Sequence, residues 1–388
     1  MTGKERILRM LRREPHDRVP FVPNIWQWFY HHKYQGTLPA ELQACDSYVD
    51  ALRVLGADII YKLAGLETYS FRGCGYESWF EGQRPRIPAV TERLLFTGGL
   101  VFKEKWSTPH GVLSHEWTYR EMDGTAVETS RILEDGDFAA HYEAIRYWLQ
   151  RRTISIDFAR FRQGFAEVGE DGLVPVYLSS TPLKQMHWLA RQDGASLLIY
   201  DHPDEVRELM RLHEEQVLAH TENVVDLDGA WLFVIRDNVD SFFYSPRFAR
   251  EFCLPTVKKI VDIVHSRGKF VFWHACGRLK ALAPLIAESG VDAMEGQAPP
   301  PLGDWEFADA LALDDTFLAN GGMFVPYQEL TGPDAARRID AYVHELFESL
   351  GPRKRRMMFA TSCNWSPLGP YENLVAFRDA VRRHGQLS

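Results

Sequence analysis

The feature that most constrains this chain is an alternation. Eight short apolar runs stand out: "RVPFVPNI", "DIIYKLAG", "LVPVYLSS", "AWLFVIRD", "KFVFWHAC", "VDAMEG", "TFLANGG" and "RMMFATSC". Between the later ones lie amphipathic helical patterns such as "SPRFAREFCLPTVKKIVDIVHSRG", "RLKALAPLIAESG" and "GPDAARRIDAYVHELFESLG". Several of these close on glycine, the residue that best tolerates the left-handed cap of a helix. Strand–helix repeats build a parallel sheet, because only a crossover returns the chain to the same edge direction. Eight such units on 388 residues, above the roughly 250 typical of the fold, predict a closed (β/α)₈ TIM barrel. An open doubly wound sheet is the alternative, but no GxGxxG follows the first strand.

One stretch breaks the rhythm. From about Leu66 to Asp157 the pattern alternates strictly, as in "VFKEKWSTPHGVLSHEWTYREMDGTAVETSRI", with turn residues at "TPHG" and "MDGT". This predicts antiparallel hairpins, an insertion over 66–157 after the second strand and near the barrel mouth. The opening "MTGKERILRMLRREPHDRVP" reads as an N-terminal amphipathic helical segment, without the apolar core of a secretory signal. With no low-complexity linker, residues 1–388 are expected to form one elaborated domain.

No run approaches the roughly 18 apolar residues of a membrane span, so a cytoplasmic protein without a membrane partner is expected. Net charge is −9 with no basic block, which argues against nucleic acid. Five scattered cysteines are too few for a disulfide framework and point instead to metal ligands or packing.

Within "KFVFWHAC", alternation along a strand puts His274 and Cys276 on one face, at the C-terminal end where barrel active sites lie. Cys363 closes another strand run, and Glu295 closes the one between. An imidazole, two thiolates and a carboxylate or an open position form a donor set suited to zinc. Buried Cys and His are commonly core residues, and His-x-Cys recurs by chance; the coincidence of all four at strand ends favours the site. Cys45, Cys74 and Cys253 have no such context. Asp237 and Asn238 follow "AWLFVI" at a strand end and are candidate catalytic residues, with Tyr244 a candidate substrate contact.

The chain resembles the uroporphyrinogen decarboxylase superfamily, in particular its corrinoid-dependent methyltransferase branch. The likeness is carried by "TGKERILRMLRREPHDRVPFVP", "WSTPHGVL", "DNVDSFFYSPRFAREFCLPTVKKIVDIVHSRGKFVFWHACG" and "NWSPLGPYENLVAFRDAVRRHG". Decarboxylases of this family hold substrate carboxylates with an N-terminal "MRQAGR" segment. Here the corresponding region reads "PNIWQWFYHHKYQG", with no arginine. The methyltransferases use His-x-Cys and a distant Cys as zinc ligands, which His274, Cys276 and Cys363 match. Cobalamin-independent methionine synthases show a similar order with an intervening Glu, which Glu295 matches. The resemblance thus implies a zinc enzyme exchanging a methyl group between a small-molecule donor or acceptor, an aryl methyl ether or a thiol, and a corrinoid. No Asp-x-His-x-x-Gly is present, so the corrinoid (cobalamin) is expected on a partner protein. Trp26, Trp28 and Tyr30 replace the cationic segment and are candidate aromatic substrate contacts. The alternatives are a metal-free decarboxylase-like enzyme on a cyclic substrate and a non-catalytic barrel that binds a small molecule.

Overall fold

The computed structural model describes residues 1–63, 66–81, 101–120, 125–134 and 136–387. Its strands are β1 (Phe21–Val22), β2 (Ile59–Ile60), β3 (Glu67–Phe71), β4 (Gly75–Glu81), β5 (Val101–Thr108), β6 (Gly111–Arg120), β7 (Thr125–Ser130) and β8 (Arg152–Ile156). They continue as β9 (Gly172–Leu173), β10 (Val176–Leu178), β11 (Leu232–Val239), β12 (Phe270–Ala275), β13 (Ala293–Glu295), β14 (Ala319–Met323) and β15 (Met357–Thr361). Helices follow most of the parallel strands, so the class is α/β. Every one of the eight apolar runs contributes a parallel strand, most of them shorter than the run, whereas β11 extends two residues beyond its run to Val239. "LVPVYLSS" divides into β9 and β10 around Pro175, which has no N–H for a ladder bond.

Parallel pairing joins β10, β11, β12 and β13 in that order, β2 to β9, and β14 to β15 to β1. Parallel bridges Ala293–Leu318 and Gln297–Gly321 connect β13 to β14. The Asp58 N–H donates to Phe21 O at 2.8 Å, which links β2 to β1. Neighbours in space are therefore neighbours in sequence, and the last strand meets the first.

These strands share an apolar cluster to which Val22, Leu173, Val234, Phe272, Ala293 and Ala360 contribute. Helix Gly3–Leu11 seals one end of it with Ile7, Met10 and Leu11. Thr2 caps that helix by accepting from Glu5 N. The cover is fastened electrostatically: Arg6 and Arg18 both reach the buried Asp58 carboxylate, which also accepts from Phe21 N. Such buried pairs hold register through geometry rather than large net energy.

The segment between β2 and β9 is different. β4, β5, β6 and β7 pair antiparallel in order, and β3 pairs antiparallel with β8. The Thr108–Gly111 turn lies in "TPHG", whereas residues 121–124 of "MDGT" lie outside the described residues. Helix Phe138–Arg151 packs on these strands through Trp148, which stacks on Trp188 at 5.9 Å and meets Trp106 edge-on at 5.5 Å. Aromatic pairs at such offsets add to what burial alone contributes.

Candidate metal centre

Each parallel strand turns its apolar residues to the shared interior, and the next residue of the same parity is polar. On β12, Phe270 and Phe272 belong to the interior cluster and His274 follows on that face, then Cys276. The same step leads from Ile60 to Lys62, from Val22 to Asn24, from Ala293 to Glu295 and from Val234 to Arg236 and Asn238. A polar tier thus stands on an apolar tier at the C-terminal ends of the strands.

In that tier, His274 Nε2 lies 3.1 Å from Cys276 Sγ. His274, Cys276 and Cys363 each offer a donor atom, and the three atoms lie within 4.8 Å of one another. Both cysteines are exposed, in contrast to the buried Cys45 and Cys253. The other ring nitrogen, His274 Nδ1, is 2.9 Å from Glu295 Oε2. Glu295 Oε1 takes Lys62 Nζ at 2.8 Å and the Tyr177 hydroxyl at 3.0 Å.

The chain reaches this arrangement through two backbone devices. Gly296 has φ +87°, and a Cβ there would stand 2.3 Å from Ser362 O and 2.6 Å from Ala275 O. Only glycine lets the segment bearing Cys363 pass this close to the end of β12. Asn24 then pins that segment, donating to Cys363 O at 2.8 Å. On β11 the register against β12 shifts between Ile235 and Val239, and Asn238 takes φ +58°. That irregularity brings the Asn238 amide oxygen to 3.7 Å from Cys276 Sγ.

Protonation follows from these contacts. Burial opposes charge on His274, but Cys363 and Glu295 outweigh it and raise its pKa to about 9. Burial likewise works against the Glu295 carboxylate, yet Lys62 and His274 hold it well below the usual carboxylate range. The hydrogen bond between the sulfurs divides the thiols: the Cys276 pKa is pushed up and that of Cys363 is held down. The donor set, one imidazole nitrogen and two sulfurs with exchangeable protons, fits a borderline-soft divalent cation that displaces those protons.

The other sequence candidates separate. Glu295, expected beside the sulfurs as a fourth ligand, has its carboxylate on the far nitrogen of His274 and on Lys62. Asn238 is at the centre. Asp237, its neighbour of opposite parity, is fully buried and accepts from Thr181 N at 2.8 Å and Trp273 Nε1 at 2.7 Å, contacts that tie it to β12 and to the segment after β10. Tyr244 is buried with its hydroxyl on Asp237 O.

Trp26, Trp28 and Tyr30, candidate aromatic substrate contacts in the sequence, lie on helix Trp26–Gln35 and pack into the main core. Trp28 donates to Gly369 O, Tyr30 packs edge-on against Tyr48, and Trp26 is half-buried against the same core. None of these, nor Tyr244, lines the cavity bounded by Asn24, Lys62, Glu295, Asn320 and Thr361 over Phe272. The sequence reading missed Lys62, Tyr177 and Asn24. A lysine two positions after an inward Ile60, at the end of an apolar run, is the signal that points to Lys62.

Residues 190–384 match the family profile described as uroporphyrinogen decarboxylase (URO-D). Among solved structures, a methyltransferase from Methanosarcina mazei is similar over 99% of this chain and 99% of its own, at 17% identity and a TM-score of 0.58. At that identity the likeness speaks to fold alone. No curated protein matches the chain. Among the described residues no helix is long and apolar enough to cross a membrane. The profile spans half of the chain and takes in His274, Cys276, Glu295 and Cys363: the chain belongs to the uroporphyrinogen decarboxylase family.

Proposed function

We propose that this chain is a zinc-dependent methyltransferase that exchanges a methyl group between a small substrate and the corrinoid of a separate protein. The observation that carries the reading is the convergence of His274, Cys276 and Cys363 donor atoms within 4.8 Å. The similar Methanosarcina mazei structure, titled a methyltransferase, supports the same reaction class. In this reading residues 1–388 are one domain, the eight parallel strand positions close into a (β/α)₈ barrel, and 66–157 is an insertion near its mouth. An apolar cluster drawn from strands all round the set supports that closure.

Zinc on these three ligands would supply Lewis acidity at an open fourth position, where a thiol is held as thiolate or a methyl donor is polarised. Glu295 fixes the tautomer of His274: with the Nδ1 proton on the carboxylate, Nε2 offers its lone pair to the metal. Lys62 offsets the charge of Glu295, so two thiolates and a dication leave the centre close to neutral. Without metal, Asn238 accepts from the Cys276 thiol and holds its side chain toward the group, a hydrogen bond that ends when a cation displaces the thiol proton.

The loops after β11, β13 and β15 each expose a large apolar side chain, Phe242, Leu302 and Leu368, which a docking protein at the strands' C-terminal ends would cover.

Elemental analysis of the purified, unchelated protein tests the reading. About one zinc per chain is expected by the ligand count, with loss in Cys276→Ala and methyl transfer to added corrinoid protein lost in parallel. A protein that stays without metal after zinc reconstitution sinks it.

A further inference from the structure

Glu295 is the best-anchored carboxylate in the polar tier. One oxygen takes His274 Nδ1 at 2.9 Å, and the other takes both Lys62 Nζ at 2.8 Å and Tyr177 OH at 3.0 Å. Lys62 and Tyr177 come from different strand segments, beyond β2 and on β10, so two separate parts of the fold converge on one oxygen. Neither forms a hydrogen bond with Cys276 or Cys363 that would make it a ligand partner in its own right. The Glu295 side chain is 9% exposed, so its charge has no solvent to fall back on. Yet the carboxylate belongs to the residue paired directly with His274 across β12 and β13, one bond network away from the sulfurs.

A carboxylate oxygen is itself a good zinc ligand. A glutamate beside a thiolate–imidazole centre is therefore a competitor for the position that substrate needs, unless something holds it. We propose that Lys62 and Tyr177 are positioning residues that keep Glu295 on the imidazole of His274 and away from the metal, so that one coordination position stays open to substrate. The inference rests on the metal reading given above and concerns residues that reading does not require. Removing the ammonium leaves a buried, uncompensated carboxylate, and ligating the metal is its nearest relief. Removing the tyrosine hydroxyl deletes one neutral hydrogen bond to the same oxygen, a smaller disturbance in the same direction.

The test uses the full chain loaded with Co²⁺, whose sulfur-to-metal charge-transfer absorption reports thiolate ligation. 2-Mercaptoethanol serves as the probe of the open position. In wild type, titration with the thiol adds charge-transfer intensity. In Lys62→Met the metal stoichiometry is retained and the thiol concentration needed rises by about tenfold or more, the size of effect typical of groups that orient metal ligands. Tyr177→Phe, which keeps ring packing, shifts the titration less in the same direction, and Lys62→Arg restores it.

Because the two residues act through Glu295, adding Lys62→Met to Glu295→Gln should move thiol binding no further. An unchanged titration in Lys62→Met overturns the proposal. So does parallel loss of Co²⁺ and thiol binding, which would make Lys62 a support of the whole site. Failure of the wild type to bind Co²⁺ or Zn²⁺ is seen before any variant is made, and defeats the metal reading instead.

Discussion

His115 and His274 occupy opposite kinds of surroundings. His115 is fully buried in the antiparallel region between Trp117 and Trp188, whose ring centroids lie 4.7 and 4.5 Å away. Glu104 stands 3.7 Å off, and no hydrogen bond reaches either ring nitrogen. His274 has a carboxylate on one nitrogen at 2.9 Å and a sulfur at 3.1 Å on the other. Both histidines sit on strands beside a tryptophan in sequence, Trp117 two residues after His115 and Trp273 just before His274. What separates them is convergence: polar atoms from several strands aim at His274, while rings from one sheet and its helices close over His115. Chemistry follows aimed donors, and packing follows faces.

Four outcomes would sharpen or break that contrast. The largest is expected from Trp148→Ala, which removes a fully buried ring from the aromatic region. It should cost about 3–5 kcal/mol of stability, measured by denaturant unfolding, while metal bound per folded chain stays unchanged. Loss of metal in the folded variant would show that the two regions are not separable.

Cys276→Ala should do the reverse. Metal affinity, measured by chelator competition, should fall by at least about 100-fold, beyond the range for groups that only orient ligands, with the unfolding transition little changed. Glu295→Gln comes next. It keeps the shape but weakens the acceptor on His274 Nδ1, so affinity should fall by about 10–100-fold.

Smallest per residue and per pH unit is the effect of pH on stability. Burial depresses the pKa of His187 and His213 from 6.5 to about 3 and that of His220 to about 4. The unfolded chain therefore binds protons that the folded chain refuses. This stability is complete above pH 6.5 and drains as pH falls toward 4 and 3, by on the order of 1 kcal/mol per histidine per pH unit. Thermal melts across this window should show it, and replacing His213 with an apolar residue should flatten the slope.

Much of the framework was legible in the sequence, because short apolar runs bounded by helical patterns leave few arrangements. The positions of the eight parallel strands, the shared face of His274 and Cys276 and the proximity of Cys363 all follow from periodicity and strand ends. Helix Trp26–Gln35 was not legible. Ile25 precedes it without a capping side chain, so its start carries no signal, and its aromatic residues read equally well as a binding wall. Lys62 and Tyr177 were hidden for another reason. Their importance lies in which oxygen they share, and that depends on the order of strands in space. Asp237 and Asn238 looked equivalent in sequence; parity and the register shift on β11 send one into packing and the other to the sulfur.

Gly296 has a consequence for the life of the chain. By letting the Ser362 carbonyl lie against the end of β12, it makes the centre depend on a contact between segments nearly a quarter of the sequence apart. Contacts of that span form late, since loop closure must come first. A nascent chain ending before Met357 carries His274 and Cys276 but not Cys363. The meeting of all three donor atoms is thus a property of a chain grown past Cys363, set by its last strand rather than by the motif that announces it.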